Sequence, residues 1–297
     1  MPGWDDILFE IQRSPNSQDF VRQKYLSQLS EHTNRNVISY YSGWLSKPDA
    51  ASSDINDNDI NGFMNAVRGM DTSLGLDLLL HTPGGQPTAA ESIVKYLRSK
   101  FGSNIRMIVP QLAMSAGTMI ACAGNIIVMG KQSSLGPIDP QFNGIPAFSV
   151  RKEFEEAKTD LFAHPEHFHY WKILLEKYPV AFVNAAIDAI DLSSVLLREW
   201  LSSCMFTENT PEITRVIDSI VQALNDHDDS KSHARHYNVD FCQSIGLKIF
   251  PLESDQTLQD LILSVHHSYN HTFSTTSAIK IIENHMGKAM VMHAAPR

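Results

Sequence analysis

Between residues 75 and 130 the chain alternates short apolar runs with helical patterns. Strand-like runs are GLDLLLHT, NIRMIVP and NIIVMG, and the segments between them, QPTAAESIVKYLRSKFG and SAGTMIACAG, have helical patterns. Strands that alternate with single helices at this pitch imply βαβ units, in which the strands pair in parallel and the crossovers are right-handed. The pattern predicts an α/β core, which we place at residues 35–160.

The regions on either side of this core have different patterns. Residues 1–34 are predicted to form N-terminal helices, and NVISYYSGWL is predicted to begin the core as a strand. After LGPIDPQFNGIPAF the chain changes to long amphipathic patterns such as VAFVNAAIDAIDLSSVLLREWLSSC. We therefore expect residues 161–297 to be mainly helical, with a short final strand as one option.

Charge and cysteine content exclude several classes of function. The 297-residue chain has a formal net charge of −9, whereas a nucleic-acid or anionic-membrane surface needs clustered Lys and Arg. Three widely spaced cysteines give neither a disulfide framework nor a zinc site. The acidic, amphipathic N-terminal pattern does not predict a secretory signal, and the longest apolar run is interrupted by polar residues and glycines. We expect a soluble, cytoplasmic protein without nucleic-acid partners or a stable membrane span.

Two glycine-rich corners carry the candidate chemistry. The strand GLDLLLHT ends in Pro-Gly-Gly and leads into a helix, while Ser115 precedes the small residues Ala116 and Gly117 at the start of another. Amides at helix starts lack intrahelical acceptors, and the absence of bulky side chains allows close approach of a ligand. If the two corners meet, a carbonyl carbon could lie at Ser115 Oγ, with its oxygen between Ala116 and an amide of Gly84 or Gly85.

A family resemblance supports this interpretation. LHTPGG, followed by AMSAGTMIACAG and SSLGPIDPQ, resembles the Clp protease and crotonase superfamily, and within it most closely the serine dehydrogenase proteinase family related to signal peptide peptidase A. The resemblance implies a ββα superhelix, Ser115 as the nucleophile, an oxyanion hole at the Gly-Gly turn and Ala116, and assembly into homo-oligomeric rings or stacks. No pyridoxal phosphate or NAD pattern accompanies the motifs, so no cofactor is predicted.

The general base is the open question. The Clp protease pattern has a histidine about 25 residues after the nucleophile, but the corresponding segment LGPIDPQ contains only Asp139 as an ionisable group. Relatives of signal peptide peptidase A use a lysine roughly forty residues after the serine, a distance that both Lys152 and Lys158 match. We favour Lys158 because of its surroundings. An apolar stripe beside Lys158 could remove water from its ammonium and help to neutralise it. Alternatively, both lysines are surface partners of neighbouring glutamates.

Clustered histidines and one acidic loop compete as metal sites. His164, His167 and His169 stand close together, and His233 and His236 have a spacing that places two imidazoles on one helical face. No HExxH pattern accompanies them, so we predict no metal and keep His236 as a distant alternative base. The loop beginning at Asp54 lacks the glycine and glutamate of an EF-hand, so a solvated turn before a helix is predicted instead.

The leading hypothesis is a serine endopeptidase-type hydrolase with a Ser115–Lys158 dyad, acting on peptides or proteins. One alternative is a crotonase-type acyl-CoA enzyme, in which the same amides would stabilise an enolate. That chemistry needs a base and an adenine site, and only Glu91 lies near the Gly-Gly turn. A second alternative is a catalytically degenerate scaffold subunit, prompted by the absence of the expected histidine.

Overall fold

The fold is organised around a seven-stranded sheet with the order β11-β10-β1-β2-β3-β5-β9. The computed structural model describes residues 3–14, 17–142, 144–225 and 232–294. In chain order the strands are β1 (Asn36–Ser42), β2 (Leu76–His81), β3 (Ile105–Val109), β4 (Leu112–Ala113), β5 (Ile126–Met129), β6 (Ser134–Leu135), β7 (Gln141–Phe142), β8 (Ile145–Pro146), β9 (Ile249–Pro251), β10 (Ala278–Asn284) and β11 (Ala289–His293).

Helices cover both faces of this sheet. They are α1 (Trp4–Arg13), α2 (Ser17–Thr33), α3 (Asp59–Val67), α4 (Pro87–Phe101), α5 (Ala116–Cys122), α6 (Ala147–Ala163), α7 (Phe168–Leu175), α8 (Phe182–Trp200), α9 (Pro211–Asn225), a short helix at Val239–Ser244 and a long helix at Gln256–Thr275. α3, α4 and α5 share one apolar core, and α1, α2 and the long helix share the other. A sheet covered on both faces has strands that are buried throughout, as β1 and β2 are.

The βαβ prediction is confirmed by the strand pairing. β1, β2, β3, β5 and β9 are parallel, and Leu78 in β2 pairs with Ile38 in β1 and Met107 in β3. The carboxyl ends of these strands therefore lie along one edge of the sheet. The segments that follow β2 and β3 lie at that edge, where ligands bind in open α/β sheets.

The region after residue 160 contains more strand than the sequence pattern predicts. Besides its helices, it supplies β9, β10 and β11 to the main sheet. β10 is fully buried although it carries Lys280 and Glu283, because each charge pairs with a buried partner from another element. These charges interrupt the apolar run by which a buried strand is recognised. The proposed boundary at residue 160 remains a prediction.

A helical hairpin, defined as residues 147–200, extends from this body. α6 packs on α8 through a small apolar cluster of its own that includes Val150, Ala186 and Ile190. Several of its large apolar side chains are exposed, among them Phe162 and Val180. Within the described ranges, no helix has the length and apolar character needed to cross a bilayer.

Two buried histidines, one at the end of β2 and one in the long C-terminal helix, make fold stability depend on pH. The ring centroids of His81 and His266 lie 5.2 Å apart. Burial, and to a smaller extent a neighbouring histidine, lowers the pKa of His81 well below its ordinary value and that of His266 to about 3. The unfolded chain therefore binds protons that the folded chain excludes, and stability is lost as pH falls below about 6.5.

We expect the free energy of unfolding to fall between pH 6.5 and 5 by up to about 1.4 kcal/mol per pH unit for each of these histidines. Urea titrations at closely spaced pH values measure this slope. His266→Gln should reduce it, whereas His164→Gln, at an exposed position, should leave it unchanged. A wild-type urea midpoint that is constant over this interval would contradict the assignment of His81 and His266 as neutral groups.

Candidate active site

Ser115 occupies a sharp turn between β4 and α5. Its backbone has φ 50° and ψ −118°, a left-handed conformation that costs a non-glycine residue about 1 to 3 kcal/mol. The turn is held by hydrogen bonds from Gly117 N to Met114 O at 2.8 Å and from Met119 N to Ser115 O at 3.1 Å. Ser115 is partly exposed, whereas every residue of α5 is buried. A strained serine between a strand and a helix is typical of nucleophiles held forward from a packed scaffold.

The Pro-Gly-Gly turn packs directly against this serine. A Cβ added to Gly84 would lie 2.7 Å from Ser115 Cβ and 2.6 Å from Met114 O, and Gly84 has φ +99°. Only glycine allows both this conformation and this approach. The two glycine-rich corners that the sequence indicated therefore meet in the structure.

Ile55 determines the orientation of Gly85. Ile55 N donates to Gly84 O at 2.7 Å and Gln86 N donates to Ile55 O at 2.9 Å, so that Ile55 and Gly85 form a parallel bridge. In this pattern the N–H of Gly85 itself points away from Ile55. Among the described residues, neither the Gly85 amide nor the Ala116 amide donates a hydrogen bond. Two backbone donors beside Ser115 are thus without a protein acceptor.

A row of four short segments extends from the turn past Ser115. Thr82 pairs with Ala113, Ala113 with Leu135 in β6, and Leu135 with Tyr237. The first two pairings are parallel and the last is antiparallel, so residues after Leu135 run beside residues before Tyr237. This register places Asp139 opposite His233. Gly84, Ser115 and Asp139 each follow a paired residue of the row in the chain, so they lie at the same end of the row.

Asp139 and His233 are joined by a hydrogen bond. His233 Nδ1 lies 2.7 Å from Asp139 Oδ1, and Gln141 donates to the other carboxylate oxygen at 3.0 Å. Asp139 is fully buried, while the His233 side chain is 31% exposed. Since a carboxylate oxygen accepts hydrogen bonds, this contact fits the tautomer in which Nδ1 carries the proton and Nε2 does not. This is the tautomer that a histidine base requires.

Comparison with known proteins identifies the family of this chain. A sequence model of the ClpP-like SDH-type serine proteinases matches residues 9–163, slightly more than half of the chain. The chain belongs to this family. Its mixed α/β architecture is accordingly that of the Clp protease and crotonase superfamily, as the motifs predicted.

Two relatives from Methanocaldococcus jannaschii are also similar to the chain. Uncharacterized protein MJ0137 is 34% identical over 166 residues, which cover 53% of this chain and 57% of that protein. Uncharacterized protein MJ1495 is 35% identical over 96 residues, which cover 32% of each. The chain thus matches only about half or less of the length of these curated relatives.

The lysines favoured by the family resemblance lie on the hairpin surface. The Lys158 side chain is 81% exposed, and its Nζ lies 3.9 Å from a Glu155 carboxylate oxygen. Lys152 is also exposed and lines an open groove of about 1070 Å³ between α6 and α7. The apolar stripe of α6 packs toward α8 and not around the Lys158 ammonium. The burial that would help to neutralise Lys158 is therefore missing.

The histidine and aspartate clusters form no metal site in the described ranges, where no group of three His, Cys, Asp or Glu side chains could hold an ion. His164 and His167 instead contact the carboxylates Glu166 and Asp160. The expectation that His233 and His236 share a helical face is wrong, because residues 232–238 are not helical. In the acidic loop, the Asp54 carbonyl accepts from the Lys280 ammonium, so a cationic side chain already lies against this loop.

His236 is exposed and His233 holds the contact with Asp139. The sequence alone indicates His233 only as a metal ligand, because Asp139, which it contacts, is 94 positions away in the chain. The backbone pairing that aligns His233 with Asp139 is the single Leu135–Tyr237 bridge, which is too short to produce a strand pattern in the sequence. The buried Cys122, whose pKa is raised by burial, has the inert character expected of a core thiol.

Proposed function

We propose that this chain is a serine peptidase in which Ser115 attacks the carbonyl carbon of a peptide bond. The observation that carries the proposal is the contact of Ser115 with a glycine turn, beside two backbone amides that have no acceptor among the described residues. Peptide or protein substrates follow from membership of a serine proteinase family. An acyl-CoA enzyme would not need a forward-held serine in a strained backbone conformation.

The Gly85 and Ala116 amides bind the oxyanion of the tetrahedral intermediate in this proposal. Both are backbone groups, so their positions are fixed before substrate arrives, and no reorganisation is needed as charge develops on the carbonyl oxygen. Gly84 allows the turn to approach Ser115, although its own amide lies 3.2 Å from Thr82 Oγ1. We therefore assign Gly85 as the donor and Gly84 as the spacer.

We assign His233 as the general base and Asp139 as the residue that orients it. His233 Nε2 accepts the Ser115 proton and later transfers it to the leaving amine, while Asp139 holds Nδ1 and stabilises the imidazolium. The alternative is a Ser115–Lys158 dyad, with Lys152 as a second choice. The Lys158 side chain is 81% exposed on the hairpin and lies beside Glu155, and no contact within the described ranges joins it to Ser115.

Covalent labelling tests the nucleophile directly. A fluorophosphonate reacts with an activated serine hydroxyl and leaves a stable adduct, which peptide mapping by mass spectrometry assigns to a residue. We expect the adduct on Ser115. An adduct on another serine, or no adduct together with thermal stabilisation by CoA thioesters, would contradict the peptidase assignment and support the acyl-CoA alternative.

We further propose a homo-oligomer, as in the Clp-like family, located in the cytoplasm, where its three buried, unpaired cysteines would remain reduced. The hairpin supports self-association because Phe162 is 92% exposed and Val180 100% exposed.

The double variant Phe162→Ser/Val180→Ser should lower the particle mass measured by light scattering. Phe9→Ser, at an exposed position on α1, is the matched control. A monomeric wild-type chain would refute the assembly.

A further inference from the structure

A buried ion pair lies next to Ile55, the residue that pairs with the glycine turn. Lys280 Nζ donates to Asp59 Oδ1 at 2.7 Å, and both side chains are fully buried. Lys280 comes from β10 and Asp59 from the first position of α3, so the pair joins the sheet to the loop before α3. Tyr40 of β1 donates to the second Asp59 oxygen at 2.8 Å.

The pair holds the backbone on both sides of Ile55. The Lys280 ammonium also donates to Asp54 O, and Asn56 N donates to Asp59 Oδ2 at 3.1 Å. The residues before and after Ile55 are thus each bound by one member of the pair. This leaves the N–H and C=O of Ile55 for Gly84 O and Gln86 N.

The contact between Ile55 and the turn is close. A Cβ added to Gly85 would lie 2.4 Å from both Ile55 N and Ile55 O, so the Ile55 backbone packs directly on the Gly85 α-carbon. A shift of Ile55 must therefore move Gly85 or rotate its peptide plane. The direction of the Gly85 amide depends on where Ile55 is held.

We propose that the Lys280–Asp59 pair positions the oxyanion turn, by fixing Ile55 and through Ile55 the direction of the Gly85 amide. This inference rests on the proposed peptidase function, in which Gly85 is an oxyanion donor. Lys280 and Asp59 touch neither substrate nor Ser115, and they act as positioning residues. Two buried charges are a costly way to join a strand to a loop, but each also supplies a directed hydrogen bond to the backbone beside Ile55, which apolar side chains could not.

The test uses the double variant Asp59→Leu/Lys280→Met, which replaces the pair with apolar side chains. Such replacements of buried pairs are often tolerated by the fold, so the protein can remain folded while both contacts with the loop are lost. The matched control is Arg22→Met/Glu283→Leu. It removes a second buried pair, with a 2.7 Å contact, that joins α2 to β10 and does not contact the Ile55 loop.

We expect the Asp59→Leu/Lys280→Met enzyme to lose about tenfold to a hundredfold in kcat, since small displacements of catalytic groups have effects of this size. KM should stay within about twofold, because the oxyanion contact forms in the transition state. The affinity of a peptide boronate, which mimics the tetrahedral species, should fall in parallel with kcat. The control should keep the wild-type kcat and boronate affinity.

Hydrogen exchange provides a readout that is independent of catalysis. The Gln86 amide, which is bonded to Ile55 O, should exchange faster in the Asp59→Leu/Lys280→Met variant than in the wild type or the control. Wild-type Gln86 exchange and wild-type kcat in a folded double variant would overturn the inference.

A second variant covers the case in which the double variant does not fold. Tyr40→Phe removes one bond to Asp59 and should still accelerate Gln86 exchange, and unchanged exchange would overturn the inference equally. Failure of the peptidase proposal itself would instead be seen as an inactive wild type or an adduct away from Ser115.

Discussion

Replacing Ser115 with alanine should lower kcat for peptide hydrolysis about a million-fold, as expected for loss of a serine nucleophile that acts together with a base. The variant keeps the two oxyanion donors, so turnover about a thousandfold above the uncatalysed rate should remain. Alanine should tolerate the left-handed backbone no better than serine does, so no gain in stability is expected. Steady-state hydrolysis of a fluorogenic peptide measures the change, and loss of the fluorophosphonate adduct accompanies it.

Ser92→Ala is the control for Ser115→Ala. Ser92 lies on α4, where its hydroxyl donates to Thr88 O at 3.1 Å, a local contact outside the site. This variant should retain wild-type turnover and labelling. A Ser115→Ala protein that keeps either property would refute Ser115 as the nucleophile, and the scaffold interpretation would gain support if the wild type were inactive as well.

His233→Ala should lower kcat by about four to six powers of ten, because Ser115 would lose the group that accepts its proton. Asp139→Asn should have a smaller but still large effect of about four powers of ten, since the amide favours the wrong imidazole tautomer. Lys158→Ala and Lys152→Ala remove exposed ammonium groups of the hairpin and should change kcat by less than twofold. Peptide hydrolysis by the four variants under identical conditions decides between a histidine and a lysine base.

The outcome that would reverse this assignment is specific. If Lys158→Ala abolishes turnover while His233→Ala preserves it, the base is the lysine that the family resemblance favoured, and the hairpin must close over Ser115 in the active enzyme. Circular dichroism should be used to check that both variants are folded. The check matters most for His233→Ala, because buried Asp139 loses its His233 partner in that variant. Folded protein with lost turnover is the expected result for His233→Ala.

The contact of Ser115 with the glycine turn could be predicted from sequence because its signals are local. Pro-Gly-Gly after one strand and Ser115 after the next are each read within a few residues, and parallel pairing places both corners at one edge of the sheet. The same reasoning predicts β1, β2, β3 and β5, but not the short β4 at Leu112–Ala113. No long-range pairing had to be guessed for these elements.

The contact between His233 and Asp139 and the last strands could not be predicted in the same way. His233 meets Asp139 through an antiparallel segment with a single bridge, and its contact depends on tertiary structure that no periodicity reveals. β10 carries Lys280 and Glu283, whose burial depends on partners far away in the chain. The sequence favours Lys158 as the base through an apolar stripe on its helix. Such a stripe indicates only that one helix face is buried and not which neighbouring element covers that face.

The four-segment row containing Thr82, Ala113, Leu135 and Tyr237 has a consequence for biosynthesis. The ribosome releases Ser115 and the glycine turn long before it releases His233, which stands 118 positions later. With His233 as the base, a nascent chain carries an unactivated hydroxyl until the last segment of the row docks. Chain order alone would then keep the nascent enzyme from cleaving itself or its neighbours.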